Sequence, residues 1–309
     1  MQKITINDVL NITDGIGVSK SEYRNTTGLT SENNRNYSDK NHSFGSQGNF
    51  KNFVKDLCGF AKENKFQNSA IRVDTLTAEA FKAYLTDKIE HGGRDFKGIN
   101  QRVVSNIVSE AKKLSVNISE LEAEKNHRES KFPGKEELIA IKKELRPMAR
   151  KAVHTNRALD NVIAEKIISS IKDEKAQIAA TLQLKAGLRE SEATKIKAWQ
   201  IGDNKINIQG KGGYHRDALV SKEMYEKIAS YIINTGSFSI SRSSYEKVLK
   251  SAFAENNVKY EGTHSLRYTF AQNLFIEKVN SGIESREAMR QVSEQMGHHR
   301  PDITLTYLR

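Results

Sequence analysis

Lys185 to Val220 reads KAGLRESEATKIKAWQIGDNKINIQGKGGYHRDALV, and its changes of period decide the fold. Upstream, KAQIAATLQLKAG (175–187) has helical spacing and closes on Gly187, a residue suited to the left-handed position past a helix end. Beyond it Ile206 and Ile208 alternate, a glycine-rich turn follows, and the chain resumes with Ala218 to Val220, which predicts a β-hairpin. A hairpin set between helices indicates a mainly α fold with a small antiparallel sheet in its C-terminal domain.

Toward the C-terminus the pattern is helical, from Thr263 to about Val279 and from about Ser285 to Met296, with Gly297 as the stop. A last short helix is predicted to open at Asp302, an N-cap residue just after Pro301, and to carry Tyr307. Toward the N-terminus a helix near Asp160 to Ser170 comes first. Before it lies the cationic run RPMARKAVHTNR (146–157), where Pro147 interrupts helical spacing; residues 147–158 read as a basic linker.

Four amphipathic helices precede that linker. Phe50, Phe53, Val54, Leu57, Cys58 and Ala61 share one face; Phe81, Tyr84, Leu85 and Ile89 mark a second helix. Val103, Val104, Ile107, Val108, Ala111 and Leu114 mark a third, and Leu138, Ile141 and Leu145 a fourth. Residues 48–146 therefore read as a compact helical domain. From Ser21 to Gln47 only Tyr23, Leu29, Tyr37 and Phe44 are large and apolar, too little to offset the entropy of ordering. Residues 1–47 read as a polar arm, either flexible or draped over DNA or a neighbouring subunit. Residues 159–309 form the remaining domain, and the sequence shows no internal repeat.

The 309 residues carry 49 Lys and Arg against 38 Asp and Glu, a formal charge of +11, with a pI near 9.4. That excess suits a polyanion such as nucleic acid, although a basic surface alone would also produce it. Cys58 is the only cysteine, which leaves no disulfide framework and no cysteine-based zinc site. No stretch has the apolar length of a membrane span, and the first residues lack a signal peptide's core. A reducing, cytoplasmic location is expected.

Chemistry-bearing residues gather in the second half as Arg189 with Glu192, Lys211 with Arg216, His264 with Arg267, and His298 with His299. Each pair has a plainer reading: a solvated ion pair, an exposed turn lysine, a helix start, a polar cap. Adjacent histidines diverge, and with no Asp, Glu or Cys at ligand spacing a metal site is not expected. Tyr307 is a weak nucleophile unless cations and hydrogen-bond donors surround it, because a free phenol ionises near pH 10.

In this order the clusters resemble the catalytic domain of the tyrosine recombinases, the lambda-integrase family. AGLRESE supplies Arg-x-x-Glu as Arg189 and Glu192, and QGKGGYHR supplies the hairpin lysine, Lys211, with Arg216 five residues on. THSLR supplies His264 and Arg267, MGHH supplies His298, and Tyr307 lies nine residues after it. The helical first half is similar to the family's core-binding domain but carries no diagnostic motif. His299 stands where a small residue is frequent. Family members often extend past the tyrosine into a segment that docks on a neighbour, whereas this sequence stops at Arg309, by nature or by shortening.

The resemblance implies that Tyr307 attacks a DNA phosphodiester, giving a 3′-phosphotyrosyl link and a free 5′-hydroxyl. Arg189 and Arg267 would hold the phosphate, His298 would hydrogen-bond to it, and His264 would help take the phenolic proton. Lys211 would be the general acid, with Glu192, Arg216 and His299 supporting. No ATP, cofactor or metal is implied. Expected partners are double-stranded DNA at a recombination site and further copies of the chain, as a dimer or tetramer on DNA. Accessory directionality or DNA-bending proteins could join them; a membrane is not expected. Function would be that of a phage or mobile-element integrase, in a prokaryotic, nucleoid-associated setting. An Xer-like dimer resolvase, a type IB topoisomerase and a non-catalytic DNA-binding protein are the alternatives.

Overall fold

The computed structural model describes residues 2–27, 38–93, 96–153, 155–210, 215–298 and 301–308. The chain divides into two compact units, Met1–Val153 and His154–Arg309.

The first unit is helical: α1 (Ile6–Ile12), α2 (Lys20–Thr26), α3 (Phe44–Glu63), α4 (Ala78–His91), α5 (Gln101–Asn126) and α6 (Lys135–Leu145). Side-chain caps set the helix starts, with Ser43 for α3, Thr77 for α4 and Asn100 for α5 each accepting from the first turn. The four expected apolar faces meet in one core. The third helix is longer than its first apolar run suggested, and continues to bury Ile118 and Leu121. Val103, at its solvent edge, is 36% exposed and lies outside the core. Cys58 is fully buried, and burial pushes its thiol up to about 12.

The described parts of the expected arm are built into this unit. Ile4, Ile6 and Val9 are core residues, and Ile6 donates its backbone N–H to the Ile71 carbonyl at 2.9 Å. Asp8 completes a capping box with Thr5 and pairs with Lys125 at 2.7 Å. Farther on, Tyr23 donates to Asp39 at 2.8 Å. The polarity of 21–47 is real, but the three aliphatics ahead of it anchor the start of the chain. Leu29 and Tyr37 lie outside the described residues.

The expected linker is likewise divided. Ala149 is buried in the first core and the Arg150 carbonyl accepts from Gln101 at 2.9 Å. At the other end Leu159 donates to Thr269 Oγ1 at 2.8 Å within the second unit.

The second unit runs α7 (Asn161–Ser170), α8 (Glu174–Lys185), α9 (Glu190–Ala193), β1 (Lys195–Lys197), β2 (Ile201–Gly202), β3 (Lys205–Gln209) and β4 (His215–Leu219). There follow α10 (Lys222–Thr235), β5 (Ser237–Ser239), α11 (Arg242–Glu255), α12 (Ser265–Asn280), α13 (Ser285–Gln295) and α14 (Pro301–Leu308). The hairpin pairs β3 with β4 from Lys205↔Leu219 to Gln209↔His215, and β2 adds to it as the third antiparallel strand. β1 and β5 form a separate two-stranded antiparallel sheet. The fold is thus mostly helical, and among the described residues its small antiparallel sheets lie in the second unit, as the sequence indicates. Among the described residues no helix is long and apolar enough to cross a membrane.

Candidate active site

Two helix ends build the site. α8 stops because Gly187 takes the left-handed conformation, φ +61°, and the Leu188 N–H turns back to the Leu182 carbonyl at 3.3 Å. A Cβ on Gly187 would lie 2.3 Å from the Phe270 ring, so the close approach of α12 demands glycine as well. α13 stops in the same way at Gly297, φ +62°, with the His298 N–H on the Ser293 carbonyl at 2.9 Å. Both turns leave carbonyl oxygens pointing away from their helices, at the negative ends of the helix dipoles.

Arg267, on the first turns of α12, fills the space between them. It is 0% exposed, the largest fully buried side chain in the unit. Its Nη1 donates to the Gly187 carbonyl, and its Nη2 to the Met296 carbonyl at 2.6 Å. Nη2 also lies 3.2 Å from His298 Nε2, and Nη1 is 3.9 Å from the Glu192 carboxylate. Burial first, and then the Arg189 charge, lower the Arg267 guanidinium to about 10, so it stays charged at neutral pH. Its Nε is buried and finds no hydrogen-bond partner among the described residues.

Arg189 caps α9 just beyond the α8 turn. Its guanidinium donates to Glu192 Oε1 at 2.6 Å and to the Gly297 carbonyl at 3.0 Å, and its backbone N–H donates to Glu192 Oε2 at 2.8 Å. Arg216, from β4, reaches the same Oε2 at 2.8 Å. Burial would raise the Glu192 carboxyl; Arg216 foremost, then Arg189, outweigh it and hold it below the usual range. Three guanidiniums thus share one carboxylate.

The histidines are in the neutral state. An arginine cannot accept a hydrogen bond, so His298 Nε2 must accept from Arg267, which places the proton on Nδ1. That Nδ1–H faces Thr304 Oγ1 at 2.9 Å. Burial, then the charge of Arg267, depress His298 to about 3. His264, at the N-cap of α12, is lowered by burial and then by Arg267, and its buried Nδ1 has no partner among the described residues.

Tyr307 sits half-buried on α14 above this cluster. Its ring centroid is 4.2 Å from Tyr268, 4.9 Å from His298 and 6.0 Å from the Arg267 guanidinium carbon. The Gln272 amide donates to its backbone carbonyl at 2.9 Å, and α14 buries Tyr307 and Leu308 against Ala271, Val292 and Met296. On the open side, Arg189 and His264 border a cleft that Lys195, Ser239 and Arg242 extend.

The structure therefore brings together Arg189, Glu192, Arg216, His264, Arg267, His298 and Tyr307. Lys211 and His299 lie outside the described residues, although the strands flanking Lys211 are in place. Three supporting residues escaped the sequence reading. Thr304 is fully buried, Tyr268 packs its ring at a tilt against the tyrosine and Gln272 holds its carbonyl. Thr304 and Tyr307 are three apart on one helix and Arg267 and Tyr268 are adjacent, but nothing in the sequence says that the two helices touch.

A sequence model of the phage integrase family matches residues 157–309, the whole of this site. No curated protein matches the chain. Among solved structures the fold is similar to a lambda integrase dimer bound to a COC′ core site, with TM-score 0.61 and 14% identity over 100% of this chain and 78% of that one. It is similar to the XerH recombinase bound to a palindromic difH substrate after cleavage, with TM-score 0.58 and 14% identity over 86% of this chain and 78% of that one. A lambda integrase tetramer on a Holliday junction gives TM-score 0.58 and 14% identity over 100% and 78%. At that identity the likeness establishes the fold, while the family match spans every catalytic motif read from the sequence. Through residues 157–309 the chain belongs to the phage integrase family, and it is a tyrosine recombinase, a site-specific enzyme that cleaves and rejoins DNA through a tyrosine intermediate.

Proposed function

We propose that this chain is the integrase of a phage or other mobile element, and that Tyr307 is the residue that joins the DNA. The observation that carries the reading is the convergence of Arg189, Arg267 and His298 beside the Tyr307 ring. The phenolic oxygen attacks the scissile phosphorus, and the bond from phosphorus to the 5′-oxygen breaks. The product is a 3′-phosphotyrosyl ester and a free 5′-hydroxyl. Attack by another 5′-hydroxyl reverses the step and releases the tyrosine, so the bond energy is kept and no nucleotide is consumed.

Each group has a part consistent with its state. Arg189 and Arg267 offer always-charged planar forks to the non-bridging oxygens. His264, neutral and with a ring nitrogen unpartnered among the described residues, is suited to take the phenolic proton. A phosphate arriving beside Arg267 brings the negative charge that favours a second proton on His298, whose Nε2 then becomes a donor. Lys211 gives its proton to the departing 5′-oxygen. Glu192 orients the forks rather than reacting.

The working form is a dimer or tetramer on double-stranded DNA. The solved relatives of like fold support this, being a lambda integrase dimer on a core site, a tetramer on a Holliday junction and XerH on difH. Accessory directionality or bending proteins fit the same setting, in the cytoplasm at the nucleoid. The first unit serves as the core-binding clamp, consistent with its helical build.

Tyr307→Phe tests the assignment. The variant should bind DNA as the parent does and form no SDS-resistant complex with a suicide substrate, whose nicked end diffuses away after cleavage. A covalent complex formed by the variant would show that another residue is the nucleophile.

A further inference from the structure

We propose that Arg216 is a positioning residue for strand cleavage: it fixes the Glu192 carboxylate, and through Glu192 it sets the Arg189 and Arg267 forks that receive the phosphate. The inference rests on the recombinase reading above and gives a defined part to Arg216, which the resemblance places five residues after Lys211 only as a supporting residue.

Arg216 stands on β4 opposite Ile208, and its side chain is 9% exposed. From the hairpin stem it reaches across to Glu192 Oε2 at 2.8 Å. That same oxygen accepts the Arg189 N–H, while Oε1 accepts the Arg189 guanidinium. One carboxylate therefore carries both arginines, and its angle fixes where the Arg189 fork points. The stem of Arg216 also lies against Gly297, in the turn that ends α13. A Cβ on Gly297 would lie 2.9 Å from Arg216 Cδ and Nε. This turn presents the Met296 carbonyl to Arg267 and the Gly297 carbonyl to Arg189. Arg216 thus touches both the acid and the turn that aim the two forks.

Its own hydrogen bonding argues against a role in stability. Nε and Nη1 are buried and have no partner among the described residues. Burying donors unpaired costs free energy, and a buried ion pair is often matched or bettered by apolar side chains of like volume. A guanidinium kept under those conditions is explained by what it orients.

Among the described residues the charges facing Glu192 are Arg189 at the start of α9, Arg216 from β4 and Arg267 from α12, with neutral His298 following α13. Arg216 is the first of the influences that depress the Glu192 carboxyl against its burial. Without Arg216 burial gains ground and the carboxyl rises. Protonated Glu192 no longer grips Arg189, so cleavage should then fall as pH is lowered, across a range where the parent is still active.

The test measures single-turnover cleavage of a suicide DNA substrate at saturating protein, from about pH 5 to pH 9, beside DNA binding. The proteins are the parent, Arg216→Met, Arg216→Lys, Glu192→Gln and the Arg216→Met/Glu192→Gln double variant. A misplacement of about 1 Å can cost about 10²-fold, so Arg216→Met should slow cleavage by that order with little change in Kd. Its acid limb should move to higher pH, and Arg216→Lys should recover part of the rate because an ammonium can still hold one carboxylate oxygen. Acting through Glu192, the two changes should not compound: the double variant should be no slower than the slower single, and should lack the new limb. Multiplied losses, a defect confined to Kd, or an acid limb that stays in place would each overturn the proposal. If Arg216→Met does not fold, Arg216→Lys carries the test, and a parental acid limb in that variant overturns it. A parent that never forms the covalent complex refutes the recombinase reading instead.

Discussion

Gly187→Ala puts the architecture of the site to a quantitative test at a residue that carries no reacting group. Two costs combine. A side chain in the left-handed conformation that Gly187 adopts, φ +61°, costs about 1–2 kcal/mol. The new Cβ would also stand 2.3 and 2.4 Å from two Phe270 ring carbons. Carbon contacts settle near 3.5–4.0 Å, so the ring must retreat by more than about 1 Å, and overpacking of that kind costs about 1–3 kcal/mol. The variant should lose about 2–5 kcal/mol, equivalent to about 5–15 °C in Tm for a unit of this size. Trp199 is the only tryptophan and lies in the second unit, so its fluorescence during urea unfolding follows that unit alone. Phe270→Ala separates the costs. In that background Gly187→Ala should cost only its backbone part, about 1–2 kcal/mol. Phe270 is one turn from Arg267 on α12, and Gly187 supplies a carbonyl to Arg267, so cleavage should fall about 10²-fold in the single variant. An equal cost in both backgrounds, or a loss below about 1 kcal/mol, would refute the packing argument.

Three further outcomes are expected. Lys211→Ala should slow cleavage about 10²–10⁴-fold, yet act almost as the parent on a substrate with sulfur at the bridging 5′ position, which leaves without a proton; equal defects on both substrates would remove Lys211 as the acid. Cleavage should persist in EDTA while DNA binding weakens with salt at a log–log slope of about −0.9 per phosphate contact; loss of cleavage on chelation, restored by Mg²⁺, would overturn an arginine-only charge supply. His298 ionises near 6.5 when unfolded and about 3 when folded, so it remains neutral in the native unit while the unfolded chain takes up a proton. Stability of the second unit should therefore be full above about pH 6.5 and decline as pH falls toward 3; the decline should be shallower in His298→Gln, and an unchanged slope would count against the buried neutral ring.

Much of this was legible because glycines and charged residues sit where backbone geometry leaves little choice. Gly187 and Gly297 marked both helix ends, and the alternation of Ile206 and Ile208 gave the hairpin. The β1–β5 sheet was not legible: its strands are three residues each, with Ile196 and Phe238 their only fully buried residues, too short for any period to show. The seating of the first residues was not legible because the polarity of 21–47 was extended over all of 1–47, whereas Ile4, Ile6 and Val9 are core residues and α1 packs on α3 and α5. At the site, residue identities followed from the motifs, but their mutual contacts did not. That the Arg267 ligands would be the ends of α8 and α13 depends on packing between segments 80 and 29 residues away.

Those contacts explain how the site can hold so much positive charge and still fold. Arg189, Arg216 and Arg267 face one carboxylate, Glu192, which leaves two positive charges without an ionic partner among the described residues. The carbonyls of Gly187, Met296 and Gly297 offset part of that excess as dipoles, which carry no net charge and cost no reorganisation. Neutral histidines add nothing to the repulsion. A phosphodiester would bring one negative charge to this site, and the five-coordinate phosphorus formed by the proposed attack of Tyr307 would bring two. On the proposed mechanism the surplus matches the transition state better than the bound substrate, and this difference, rather than tight binding of DNA, would accelerate cleavage. It also assigns Glu192 its value: a second carboxylate would cancel the surplus, and with none the three guanidiniums would repel one another out of register.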